Sequence, residues 1–111
     1  MSELVVVWRY DVRADAIAAF ERDYGPHGAW ATLFRRDDAY LGTDLWRVEG
    51  SASTYLTFDR WQSAASRAAF LAAHRADYDA LDARCGAYTT AETLVGEFAR
   101  QARDLTAPPH D

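Results

Sequence analysis

Lysine and asparagine do not occur among the 111 residues of this chain, and cysteine occurs once. The lone cysteine, Cys85, has no partner for an intrachain disulfide, and no signal-type segment occupies Met1 to Trp8, so a reducing, cytoplasmic location is expected. No apolar run approaches the roughly 20 residues of a membrane span, so no membrane partner is expected. A basic surface is lacking too: the formal net charge is −5, opposite in sign to the phosphate-neutralising patches of nucleic-acid binders. There is no Cys-x-x-Cys, no His-Glu-x-x-His, no glycine-rich phosphate loop and no nucleophile elbow, which argues against the common zinc, nucleotide and hydrolase chemistries. His27 lies on a loop between Pro26 and Gly28 and His110 lies in the tail, neither beside a metal-ligating residue. No metal and no cofactor is therefore expected. With lysine absent, arginine supplies all 12 basic residues, a pattern that looks like nucleotide-composition bias and lowers the weight of any single arginine.

What the chain does have is apolar and aromatic weight: half of it is hydrophobic and 14% is Phe, Trp or Tyr. Residues 1–100 are expected to form one domain, which at this size buries roughly 65% of its unfolded surface. Residues 101–111, with Pro108-Pro109, are expected to be a disordered tail.

The segment Tyr55 to Trp61 organises the rest. In the period of two that a strand imposes, Tyr55, Thr57, Asp59 and Trp61 oppose Thr54, Leu56, Phe58 and Arg60. Both sets carry apolar side chains, as a central strand covered on both faces requires. Leu4 to Val12 has the same character and predicts a second central strand.

Between them, Asp15 opens a short predicted helix whose buried stripe is Ile17, Phe20 and Tyr24, ended by Gly25-Pro26. Trp30, Leu33 and Phe34 mark a second helical piece, and Ala39 to Val48 predicts a strand in which Tyr40 shares a face with Asp44, Trp46 and Val48. Glu49 to Ala52 makes a hairpin. Ser63, with Ser66 in place of the usual glutamate, is expected to cap one long helix running to about Cys85, with Phe70, His74, Tyr78, Leu81 and Cys85 as its buried stripe and Gly86 as its stop. Thr89 to Phe98 predicts an edge-like strand interrupted by glutamates.

The order strand, helix, strand, strand, helix, strand is the split βαβ arrangement (βαββαβ): an α+β, ferredoxin-like fold with a four-stranded antiparallel sheet and both helical layers on one face. Two helical layers cover one face only. Leaving four large apolar side chains wet on the other would forfeit on the order of 6 to 12 kcal/mol, comparable to the stability of a small domain. A homodimer packed sheet against sheet is therefore expected.

The runs Ala39-Tyr40-Leu41-Gly42-Thr43-Asp44-Leu45, Tyr55 to Trp61 with Ser63, and Phe70 to Asp82 together resemble the antibiotic biosynthesis monooxygenase family of dimeric α/β barrels. The likeness spans nearly everything from Leu4 to Phe98. It implies a homodimer of ferredoxin-like subunits with a pocket between sheet and helices. The family's best-known enzymes oxygenate polycyclic phenols or quinols without metal or flavin, and a sister branch degrades haem. That branch relies on an asparagine, tryptophan and histidine set. Asparagine is missing here, as is the asparagine proposed to assist some quinone-forming members, so Tyr78 or Tyr55 would have to serve as donor.

The expected function is a cofactor-independent monooxygenase acting on an aromatic phenol or quinol. His74, on the buried stripe of the long helix, is the candidate base that takes the phenolic proton. Tyr78 is its candidate catalytic partner, and Trp61, Phe70, Phe20 and Trp30 are candidate pocket residues. The alternatives are a non-catalytic dimeric module that binds a small ligand or supports a pathway enzyme and, ranked last, haem binding through His74. Arg9, Arg47 and Arg60 fall in one strand phase, and Asp44 with Asp59 in the other, where interface salt bridges are preferred over a paired-carboxylate acid/base site.

Overall fold

The computed structural model describes residues 2–104. Strand β1 (Leu4–Val12) leads through helices α1 (Ile17–Tyr24) and α2 (Ala29–Phe34) to the hairpin of β2 (Tyr40–Arg47) and β3 (Thr54–Trp61). Helices α3 (Ala64–Ala73) and α4 (Arg75–Cys85) follow, then a 3-10 turn over Gly86–Tyr88 and strand β4 (Thr89–Ala99). The strands form one antiparallel sheet in the order β2-β3-β1-β4. The centre therefore belongs to β1 and β3, the two strands with apolar side chains on both faces, and the helices cover one side of the sheet. Residues 101–104 have no regular secondary structure, and the remainder of the expected tail lies outside the described residues.

Local chemistry accounts for the start of α3. Ser63 accepts a hydrogen bond from the Ser66 backbone N–H at 3.1 Å while Ser66 Oγ accepts one from the Ser63 N–H at 3.1 Å, a capping box built from two serines. Ser63→Ala is expected to lower unfolding free energy by about 1 kcal/mol, checked by chemical denaturation. At the other end of α1 the chain turns so tightly that a Cβ on Gly28 would lie 2.2 Å from the Arg22 carbonyl oxygen.

Several expectations are corrected. Asp15 does not cap α1: it pairs with Arg13 at 2.9 Å, and Ala16 stands at the N-cap without a side-chain bond. The long helix is two, broken at His74 (φ −120°, ψ 26°), because its halves pack on different neighbours: Phe70 of α3 against Trp61 of β3 at 5.2 Å, and Tyr78 of α4 edge-on against Trp30 of α2 at 4.9 Å. Gly86 is right-handed (φ −57°) and passes the chain into the 3-10 turn rather than stopping it. That turn is tied down by the buried carboxylate of Asp23, which accepts from Tyr88 Oη at 2.7 Å and Arg84 Nη1 at 3.2 Å. Burial alone would raise the Asp23 pKa, but these bonds and the neighbouring arginines outweigh it and hold the group below its usual range.

Register decides the faces. Tyr40 pairs with Trp61 and Gly42 with Arg60, so Leu41 is an extra residue in a β-bulge at which Gly42 takes φ +143°. The bulge turns Tyr40 onto the helix side with Thr43, away from Asp44 and Trp46. The same register separates groups expected together. Arg47 pairs with Tyr55 on the helix side, whereas Arg9 and Arg60 lie on the outer face; Asp59 is on the helix side, whereas Asp44 is outside. Under the helices run Tyr55, Thr57, Asp59 and Trp61 of β3 and Val6, Trp8 and Tyr10 of β1; the outer face carries Val5, Val7, Leu56, Phe58, Trp46 and Phe98.

Candidate functional site

The helix side of the sheet is mostly filled by stacked rings. Trp61, Phe34 and Phe70 meet at 5.2–5.6 Å, and Phe20 stacks on Tyr24 at 4.2 Å. Packing is incomplete in the middle, where a cavity of about 100 Å³ opens between the sheet and α4. Trp8, Tyr10, Thr43, Thr57 and Asp59 line its floor; Trp30, Phe34 and Tyr78 form its walls, with Asp82 and Glu92 at the acidic rim.

Asp59 is the one carboxylate on the floor. It reaches the helix side because it follows Tyr55 and Thr57 in the strand period, and apolar surroundings then act on its charge. Burial raises its pKa to about 6, against the opposing influence of a hydrogen bond from Thr43 and the charge of Arg67. The bond runs from Thr43 Oγ1 to Asp59 Oδ1 at 2.5 Å, and Tyr40 Oη lies 2.5 Å from Thr43 Oγ1. A threonine hydroxyl has one hydrogen, so with Thr43 donating to Asp59 the phenol of Tyr40 donates to Thr43. Burial also raises the pKa of Tyr78 and, well beyond the usual phenol range, those of Tyr10 and Tyr24. These three phenols therefore stay protonated at neutral pH. Trp30 Nε1 and Thr57 Oγ1 are buried without a hydrogen-bond partner among the described residues and lie near the Tyr24 and Tyr10 phenols without reaching bonding geometry.

Of the residues singled out from sequence, Trp30 and Tyr78 meet at the cavity. Trp61, Phe70 and Phe20 are fully buried in the ring stack behind it, and none lines it. His74 is half-buried at the junction of α3 and α4, its ring 4.6 Å from that of Phe70, and it does not line the cavity. The Tyr55 phenol donates to Glu21 Oε2 at 2.5 Å on the outer side of α1 and is likewise not at the cavity. Sequence reasoning placed Asp59 at an interface. An acidic residue in phase with Tyr55, Thr57 and Trp61 was the available signal, but it points to a site only once the helix side is known. Among the described residues no cluster of three or more metal-ligating side chains occurs, and no helix is long and apolar enough to cross a membrane.

This layering of a split βαβ sheet under helices is a ferredoxin-like fold, and solved structures with the same fold include that of a cofactor-independent oxygenase. Two structures of SnoaB, a cofactor-independent oxygenase from Streptomyces nogalater, superpose along nearly the whole chain. For one, a mutant, the TM-score is 0.66 at 18% identity over 97% of this chain and 100% of that one. For the other the TM-score is 0.63 at 20% identity over 95% and 99%. PA3566 from Pseudomonas aeruginosa gives a TM-score of 0.63 at 14% identity over 92% and 97%. No protein-family model matches the chain, and no curated protein matches it.

Proposed function

We propose that this protein is a cofactor-independent monooxygenase of a small phenol or quinol, with Asp59 as proton acceptor and Tyr78 and Trp30 as positioning groups. The observation that carries the reading is a carboxyl whose pKa is raised to about 6 at the base of an aromatic cavity, in a fold that SnoaB also has. A general base works best with a pKa near the operating pH. The cavity of about 100 Å³ is smaller than the 150 Å³ apolar cavity known to hold benzene, so a single phenolic ring enters hydroxyl first and its far edge stays in the mouth. Any further ring would project through the mouth.

In this mechanism the phenolic hydroxyl donates to Asp59, the ring lies against Trp30 and Tyr78, and transfer of the proton leaves an electron-rich anion. The anion reduces dioxygen and a ring carbon–oxygen bond forms. Breaking the O–O bond leaves one oxygen on the ring as a carbonyl; the other departs as water after taking the proton held by Asp59 and the one lost from the ring carbon. The substrate supplies all four electrons, so phenol plus dioxygen becomes quinone plus water.

The proton acceptor is assigned to Asp59 in place of His74. His74→Ala is expected to leave turnover within about twofold, whereas Tyr78→Phe is expected to lower it about tenfold through loss of one hydrogen bond. Initial-rate oxygen uptake checks both.

The outer sheet face is proposed to meet a second copy. Trp46 is 63% and Phe98 48% exposed beside Val5, Leu56 and Phe58, an apolar surface of the kind that a two-fold dimer buries. Haem binding is disfavoured, because the cavity of about 100 Å³ is far smaller than that ligand and His74 lies outside it.

The test is aerobic incubation of chelator-treated protein with hydroquinone under 18O₂, beside heat-inactivated protein. Uptake above autoxidation with one labelled oxygen in freshly quenched product is expected. Saturable binding without uptake would replace the enzyme with the ligand-binding module.

A further inference from the structure

The hydrogen bonds beneath the cavity have a direction, and it is set by the bulge at Gly42. A regular β2 would put Tyr40 and Thr43 on opposite faces. With Leu41 and Gly42 accommodating one extra residue, both side chains reach the helix side, three positions apart, and their oxygens meet at 2.5 Å. The φ of +143° at position 42 is one that side-chain-bearing residues rarely adopt, so glycine is what lets the bulge form there. Thr43 and Tyr40 are both buried, and the Thr43 hydroxyl donates to Asp59 Oδ1, which leaves the Tyr40 phenol to donate to Thr43.

We propose that Tyr40 and Thr43 are positioning residues for the proton acceptor: a two-hydroxyl chain that engages one oxygen of Asp59, aims the other into the cavity, and favours its ionised, proton-accepting form. This rests on the assignment of Asp59 in the proposed function but concerns residues that need not touch substrate. A carboxylate that accepts a hydrogen bond is stabilised as the anion, and a chain of two donors polarises the terminal one further. The other groups around Asp59 do not do this work. Tyr78 of α4 and Tyr10 of β1 make no hydrogen bond to Asp59 among the described residues, and Asp82 of α4 and Glu92 of β4 are acidic side chains with no donor nitrogen to offer. The cation that acts on Asp59 is Arg67 of α3, which is paired with Glu97 at 3.2 Å. Thr43 is the only described hydrogen-bond donor to Asp59.

The test reads the Asp59 carboxyl directly by carbon-13 NMR titration of the protein alone, assigned by its disappearance in Asp59→Asn, in the native chain and in Thr43→Val, Thr43→Ser and Tyr40→Phe. The midpoint is expected near pH 6 in the native protein, to move upward by about one pH unit in Thr43→Val, to return on Thr43→Ser, and to move part-way in Tyr40→Phe. The acid limb of oxygen uptake should move with it. A midpoint unchanged in Thr43→Val, in a protein that still shows the native circular dichroism spectrum, overturns the chain. If Thr43→Val does not fold, Tyr40→Phe decides: no shift there overturns it equally. The NMR result stands whether or not turnover is found, so absence of oxygen uptake would defeat the oxygenase assignment and leave this inference intact.

Discussion

Asp59→Asn is expected to abolish turnover, by a factor of 100 or more, while making the protein more stable at neutral pH. The first effect is the loss of general-base catalysis, typically 10²–10⁴-fold. The second follows from linkage. The carboxyl has a pKa of about 6 in the folded chain against the ordinary 3.8 of an unfolded aspartate, so between those values the native state holds a proton that the unfolded state has released. Stability contributed by this group is therefore fully present below pH 3.8 and is lost as pH rises through about 6. The difference corresponds to roughly 3 kcal/mol as an upper bound. Asparagine carries no charge to desolvate, so a gain of about 1–3 kcal/mol is expected at pH 8, vanishing below pH 4. Urea unfolding of both proteins at pH 4 and pH 8 measures it. Equal stabilities at pH 8, or a difference that grows toward acid, would mean the carboxylate is not desolvated as described. Native turnover should likewise fall on a single-proton limb below about pH 6.

The second large effect concerns the outer sheet face. Trp46→Glu with Phe98→Glu is expected to weaken self-association by a factor of at least 1,000, because truncation of each central aromatic anchor in an interface costs about 2 kcal/mol or more and a buried unpaired charge adds to that. Both side chains are largely exposed in the single chain, at 63% and 48%, so the subunit's own stability should change by no more than about 0.5 kcal/mol each. Sedimentation equilibrium across micromolar concentrations provides the readout. A native protein that sediments as a single subunit throughout would remove the dimer from the proposed function. A dimer insensitive to both changes would move the interface elsewhere.

The two variants separate the faces of the sheet. Asp59→Asn acts beneath the helices and should leave assembly unchanged; the aromatic pair acts on the opposite side and should leave the Asp59 titration unchanged. This independence follows from the central strands, whose alternate residues serve different neighbours.

Much of this was written locally in the chain. The apolar weight on both phases of Leu4 to Val12 and Tyr55 to Trp61 marks β1 and β3 as central, because a strand between two others in a covered sheet has no water side. The two-serine cap at Ser63, the halt at Gly25-Pro26 and the aromatic stripes of α1 and α2 were legible for the same reason: each depends on residues within four positions. The split βαβ order then leaves few topologies open.

What tertiary structure alone decided was which phase of each strand faces the helices and where packing stays incomplete. The bulge at Leu41-Gly42 reverses the phase of Tyr40 and leaves the alternation after it intact, a one-residue event that pairing with β3 fixes and β2 by itself does not reveal. The break at His74 has no proline or glycine behind it; it arises because Phe70 and Tyr78 are drawn to different partners, and it leaves His74 beside Phe70 and outside the cavity. Asp59 gained its altered proton affinity only when the helices closed over β3, because desolvation is a property of everything packed around a carboxyl rather than of the carboxyl's place in the chain.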